Sequence, residues 1–163
     1  MKTQGLNLFI VDDNKSMVNA LKQYLQSRFG VSLKISTFYD GESCLEKVDE
    51  DTHIVILDYQ MTGKNGIEVL KLIKAINPKT EVIMLSSNND IVLAIDSFRM
   101  GAADYVVKGT SSWRKITQLV NEIITDPIRR MVKEFRVSKF FSIFLLTFAI
   151  MAIVVAWALN YLI

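Results

Sequence analysis

Apolar residues follow two alternating patterns over the first 125 positions. Short runs rich in Ile, Val, Leu and Phe occur at Leu6–Val11, Leu33–Phe38, Ile54–Leu57, Val82–Ser86 and Tyr105–Val107. They show little polar alternation, which is the pattern of strands covered on both faces. Between them, apolar positions recur at helical spacing: Met17, Leu21, Tyr24 and Leu25, then Ile67, Leu70, Ile73 and Ile76, then Ile116, Leu119, Val120 and Ile123. Gly30, Gly41, Gly66, Asn77-Pro78 and Gly101 punctuate the boundaries. Five strands alternating with five helices predict an α/β domain over residues 1–125, built on a doubly wound, five-stranded parallel sheet.

The pattern changes at Thr125-Asp126-Pro127, which reads as a stop and a restart, with Asp126 suited to cap a new helix and Pro127 to its first position. Ile128, Met131, Val132 and Phe135 then share one face, with Arg129, Arg130, Lys133 and Arg136 opposite. This spacing predicts a basic amphipathic helix over 126–139. From Phe140 to Ile163 there are 24 residues without a charge, and only Ser142, Thr147 and Asn160 fall outside the apolar set. As a helix this segment is about 36 Å long, enough to cross a hydrocarbon core of about 30 Å with some tilt. A transmembrane helix over 140–163 is therefore expected, with Trp157 and Tyr161 at the far interface. The basic collar on its N-terminal side points the preceding domain to the cytoplasm, giving a single-pass membrane protein with essentially nothing beyond the span.

Composition sharpens this division. Half of the whole chain is apolar, but without the charge-free segment the fraction is roughly 44%, ordinary for a soluble domain. Such a chain is neither disordered nor a disulfide scaffold, and Cys44 has no second cysteine to pair with, which fits a reducing compartment. Residues 129–139 hold five basic side chains against Glu134 alone, a net of +4 in a chain whose total is +2, so the first 128 residues carry −2. The basic pI belongs to the collar and does not indicate a nucleic-acid-binding domain. The apolar run LNLFIV near the N-terminus is only six residues long, so no signal peptide is expected.

In an open α/β sheet, ligands gather beyond the carboxyl ends of the strands. There this sequence places Asp12 and Asp13 after the first strand, Asp58 after the third, Ser86 at the end of the fourth and Lys108 after the fifth. Carboxylate oxygens suit a hard cation, and a few carboxylates with retained waters suit Mg²⁺ better than Ca²⁺. A cation offsets the repulsion among the acids and lets one carboxylate attack a phosphorus centre, with Lys108 and Ser86 ready to hold the incoming oxygens.

VDD at 11–13, LDYQM at 57–61, MLSS at 84–87 and GAADYVVK at 101–108 together resemble the receiver domain of two-component response regulators, over about residues 5–125. The resemblance implies a flavodoxin-like receiver fold with Asp58 as the phosphoacceptor. It also implies Mg²⁺ bound directly by Asp13 and Asp58 and by the main-chain carbonyl of Gln60, with Asp12 acting through water. Ser86 and Lys108 would contact the phosphoryl group, and Ser86 and Tyr105 would form the switch, Tyr105 turning inward as Ser86 moves. Two positions depart from the family pattern. Thr62 stands where the family usually has Pro after the motif's Met, and Gly109 stands where it usually has a cis Pro after the Lys. A cis bond before a non-proline residue costs about 3–4 kcal/mol, so Lys108–Gly109 is expected to be trans.

Taken singly, these residues have plainer readings. Asp12 or Asp13 could be a turn residue or helix cap, and Tyr105 could be half-buried packing. His53 has no Cys or His cluster near it and reads as structural. Ile91-Val-Leu-Ala-Ile95 surrounds most of a helix with apolar groups, either as core or as a partner surface. The expected function is a membrane-anchored receiver, a signalling domain and not an enzyme, with Mg²⁺-dependent self-phosphorylation from a donor and self-dephosphorylation as its chemistry. Its donor would be a histidine kinase or a phosphotransfer protein. With no room for a DNA-binding output domain, its output would be protein contact near the bilayer, including homodimerisation through the fourth helix, fifth strand and fifth helix, with Ile91, Ile95, Phe98, Asp104 and Trp113 on the changing face. Two alternatives remain: a pseudo-receiver that binds partners without phosphoryl transfer, and the N-terminal fragment of a larger membrane signalling protein.

Overall fold

The computed structural model describes residues 5–125 together with the single positions Thr147 and Met151. Apart from those two positions, the expected basic helix at 126–139 and span at 140–163 lie outside the described residues. Among the described residues no helix is long and apolar enough to cross a membrane.

Five strands, β1 (Leu6–Val11), β2 (Leu33–Phe38), β3 (Thr52–Asp58), β4 (Glu81–Ser86) and β5 (Asp104–Val107), form one sheet in the order β2-β1-β3-β4-β5, and every neighbouring pair is parallel. This is the doubly wound, flavodoxin-like order, with its switch point between β1 and β3. The helices are α1 (Lys15–Phe29), α2 (Gly41–Leu45), α3 (Gly66–Ile76), α4 (Ile91–Arg99) and α5 (112–125), with a 3₁₀ turn at Gly30–Ser32 after α1.

The apolar runs became strands because helices cover both faces of the sheet: Leu8 to Val11, Ile54 to Leu57 and Val82 to Leu85 are all buried. β1 and β2 have the bounds expected from their apolar runs. The other three begin earlier, at Thr52, Glu81 and Asp104, where polar residues join the ladder opposite Asn7, Ile54 and Ile83.

The helical stripes meet the sheet as their spacing requires. Leu21 and Leu25 of α1, Leu70 and Ile73 of α3, and Ile116 and Val120 of α5 are buried, joined by Val18 and Val69. Ile76 ends its stripe in solvent, half exposed. The starts are capped by side chains: Asn14 accepts the Met17 N–H, Asp90 accepts the Val92 N–H, and Asn65 exchanges hydrogen bonds with Glu68 in a capping box. Gly30 ends α1 at φ +51°, a conformation glycine adopts without steric cost.

Gly66 opens α3 directly against the end of β3. A β-carbon there would lie 2.5 Å from the Asp58 carbonyl oxygen and 2.9 Å from Met84 Cε. Gly66→Ala is therefore expected to lower stability by about 1–3 kcal/mol through overpacking. Ile56→Ala, which empties a fully buried position at the sheet centre, should cost about 2–5 kcal/mol. Urea unfolding followed by circular dichroism measures both.

Candidate functional site

The parallel register delivers the site. Val11 pairs with Leu57, Asp58 with Leu85, and Ser86 with Val107. Asp12, Asp58, Ser86 and Lys108 are thus brought to one edge from four adjacent strands. Asp12 and Asp58 are 1% and 2% exposed, and Ser86 is fully buried. Asp13, one residue further on, is exposed. One carboxylate oxygen from each of Asp12, Asp13 and Asp58 lies within 4.8 Å of the others.

Lys108 reaches across the sheet edge to two of these acids. Its Nζ donates to Asp12 Oδ2 at 2.7 Å and stands 2.9 Å from Asp58 Oδ1. The second contact is an ion pair off the hydrogen-bonding direction, so the buried Asp58 Oδ1 has no aligned donor. The other Asp12 oxygen accepts the Asn14 N–H at 2.9 Å. Asp13 Oδ2 accepts the Thr62 hydroxyl at 3.3 Å. No cis peptide bond occurs among the described residues, so Lys108–Gly109 is trans, as expected.

Burial pushes the Asp58 carboxyl above the usual range, and the nearby Asp12 charge adds to this, against the opposing pull of Lys108 and the Gln60 main chain. Burial alone would lower the Lys108 ammonium, but its close contacts with the Asp12 and Asp58 carboxylates outweigh that and raise it. One ammonium among three carboxylates leaves the cluster electron-rich. With three carboxylates against one ammonium, a buried Asp58 oxygen that has no aligned hydrogen bond, and an all-oxygen donor set, the residues fit a small hard divalent cation such as Mg²⁺. Beside them a cavity of about 420 Å³ is lined by Asp13, Tyr59, Gln60, Met61, Thr62 and Asn65, which puts Gln60 on its wall.

Ser86 and Tyr105 meet through a residue the sequence did not single out. The Asn88 N–H donates to Ser86 Oγ at 3.0 Å, and the Tyr105 hydroxyl donates to the Asn88 carbonyl oxygen at 2.8 Å. Tyr105 is 9% exposed and lies inward in this structure; the sequence suggested a ring that can turn inward as Ser86 moves. A buried tyrosine hydroxyl needs a partner, and the Asn88 carbonyl supplies it. Asn88 acts through its main chain, for which no side-chain signal exists. Asn14 was legible in principle, as the polar residue before a helical stripe.

Other expectations resolve around the site. Ile91, Val92, Ile95 and Phe98 of α4 are exposed, so that side of the helix is surface, while Leu93 and Ala94 pack on the core. Trp113, expected on the same changing face, is partly buried and packs against Tyr24 of α1 with ring centroids 5.0 Å apart. Asp104 is paired with Lys115 at 2.8 Å. His53 is structural: its Nδ1 accepts the Asn7 N–H where the β1–β3 register shifts.

A family model described as the response regulator receiver domain matches residues 8–121. This chain belongs to that family. Among curated receiver-containing relatives, the transcriptional regulatory protein ZraR of Klebsiella oxytoca is 30% identical over 109 residues, covering 66% of this chain and 24% of ZraR. The transcriptional regulatory protein CpxR of Escherichia coli is 30% identical over 101 residues, covering 62% of this chain and 42% of CpxR. The chain thus spans less than half the length of these regulators. Among solved structures, response regulator DrrB of Thermotoga maritima is 28% identical with a TM-score of 0.66, covering 76% of this chain and 54% of that one. A chain of the CheX–CheY–BeF₃–Mg²⁺ complex from Borrelia burgdorferi is 30% identical with a TM-score of 0.64, covering 72% and 88%. A receiver domain accepts a phosphoryl group on aspartate from histidine kinases or phosphotransfer proteins and binds Mg²⁺ at an acidic pocket, here the cluster of Asp12, Asp13 and Asp58.

The raised Asp58 carboxyl has a measurable consequence for this receiver. A group whose pKa is higher folded than unfolded stabilises the fold at low pH, and that contribution is lost as pH rises through the folded pKa. At neutral pH the buried Asp58 carboxyl therefore costs stability in the metal-free protein. In EDTA, Asp58→Asn should be more stable than the wild type at neutral pH, with the advantage shrinking on mild acidification. Urea midpoints of both proteins across that range measure it. An advantage that grows as pH falls would contradict the assigned direction.

Proposed function

We propose that this chain is a membrane-tethered receiver that accepts a phosphoryl group on Asp58 and signals by protein contact close to the bilayer. The observation that carries the reading is Asp58 itself: a buried carboxylate oxygen with no aligned donor, beside Lys108 and two further acids. In the transfer, a carboxylate oxygen of Asp58 forms the new bond to phosphorus. The bond from phosphorus to the donor breaks, and the donor leaves with its electron pair. Lys108 and Ser86 hold the transferred oxygens. Asp13, Asp58 and the Gln60 carbonyl would hold Mg²⁺, with Asp12 acting through water. Bound there, the ion neutralises charge on the phosphoryl group and the acids.

The tether and the output rest on other features. Residues 140–163 carry no charge, and the five basic residues of 129–139 precede them. Near an anionic leaflet each such residue contributes about 1 kcal/mol, which orients the receiver to the cytoplasm with the collar against the headgroups. Ile91, Val92, Ile95 and Phe98 on a nine-residue helix make an apolar patch that suits partner docking or homodimerisation through α4, β5 and α5. Confinement to a plane raises effective concentration, so a modest coupling of 1–3 kcal/mol could switch association there.

Incubation with Mg²⁺ and a small acyl phosphate, followed by intact-mass measurement, should add one phosphoryl group. Asp58→Asn should abolish that addition. Labelling that survives the substitution would remove Asp58 as the acceptor, and a wild type that never labels would favour a pseudo-receiver.

Sealed inside-out vesicles test the tether. Protease should digest the receiver while a C-terminal tag stays protected, and deleting 140–163 should release the protein from the membrane. A digested tag would refute the topology.

A further inference from the structure

Asp13 differs from the two other acids in what holds it. Asp12 is buried, with one oxygen on Lys108 and the other on the Asn14 N–H. Asp58 is buried against the same ammonium. Asp13 is exposed, and the hydrogen bond it receives comes from the Thr62 hydroxyl, 49 positions along the chain.

Thr62 sits at the start of a stretch that is braced from two helices. Glu42, in the first turn of α2, accepts both the main-chain N–H and the Nζ of Lys64, at 3.4 and 3.3 Å, on one carboxylate oxygen. Gly63 between them has φ +87°, which a side chain would strain. A β-carbon there would also crowd both Glu42 carboxylate oxygens at 3.2 Å. Asn65 then closes the stretch with its reciprocal hydrogen bonds to Glu68 at the start of α3. Residues 63–65 are therefore anchored on α2 and α3. The Thr62 hydroxyl is the group that passes this anchoring to Asp13.

We propose that Thr62 is a positioning residue for the divalent cation, its hydroxyl holding the Asp13 carboxylate in the orientation that metal binding requires. This rests on the reading of Asp13 as a Mg²⁺ ligand. A carboxylate has two oxygens with about four acceptor positions, so the single hydrogen bond from Thr62 to Oδ2 leaves capacity for the ion. An exposed aspartate loses rotamer freedom when it takes up a metal, and a donor that already orients it removes part of that cost. Outer hydrogen-bond partners of metal ligands act in this way generally. Threonine is uncharged, so its effect is on orientation and not on the charge of the site.

The test uses the full chain in mild detergent: wild type, Thr62→Val and Thr62→Ser, each titrated with Mg²⁺ by calorimetry. Each is also unfolded in urea with EDTA. Valine keeps the shape and removes the donor, whereas serine keeps the donor. Thr62→Val should weaken Mg²⁺ binding about three- to tenfold, the size expected for a partly exposed hydrogen bond to a charged group, and Thr62→Ser should stay within about twofold of wild type. Urea midpoints in EDTA should be alike for all three. Valine binding equal to wild type, equal losses in valine and serine, or a loss matched by lower stability in EDTA would overturn the proposal while leaving the acidic site intact. A wild type that takes up no Mg²⁺ would overturn both.

Discussion

The Lys108 ammonium stands between Asp12 and Asp58, 2.7 and 2.9 Å from an oxygen of each, and the sheet edge can gather three carboxylates because it does so. Both aspartates are almost wholly buried, where an unpaired charge would be strongly unfavourable. Losing the Lys108 charge would leave both carboxylates without compensation, a change that typically costs about 3–5 kcal/mol. One cation nevertheless does not balance three acids. Asp58 stays harder to ionise than an ordinary aspartate, and one of its oxygens lacks an aligned donor. The fit of the site to a hard cation follows from that incomplete balance.

The fold supplies the constraint that makes this arrangement stable. Parallel strands with both faces covered leave only their ends for polar chemistry, and the register sets those ends side by side. From the same edge a short hydrogen-bonded path runs outward: Ser86 to the Asn88 peptide, and the Asn88 carbonyl to Tyr105. Tyr105 lies on β5, and the exposed apolar side of α4 begins three residues after Asn88. Two hydrogen bonds thus join the Ser86 side chain at the site to Tyr105 on the last strand.

Much of this was legible in the chain itself. The runs at Leu6–Val11 and Leu33–Phe38 became strands with those bounds, and both are followed by turn-forming residues. LNLFIV is buried from Leu8 onward inside the sheet, while LKISTF, with its interspersed polar residues, forms the less buried edge strand. The five site groups were legible too, since each sits at a strand end or within two residues of one, and such ends converge in any doubly wound sheet. Thr52, Glu81 and Asp104 were not, because a polar residue enters a strand when its neighbour offers a ladder partner, which is a property of the pair.

What the sequence determined by itself was therefore the local and the periodic: element type, strand order class, and which functional groups reach the edge. The tertiary structure decided the pairings. Lys108 meets Asp12 across 96 positions, Thr62 meets Asp13 across 49, and Tyr105 meets the Asn88 carbonyl across 17. Trp113 meets the Tyr24 ring of α1, a partner 89 positions away that helical spacing does not name. Periodicity records only that a residue faces inward or outward. Which hydrogen-bond donor, ring or charge it finds depends on register and side-chain geometry, and these exist only once distant segments have packed together.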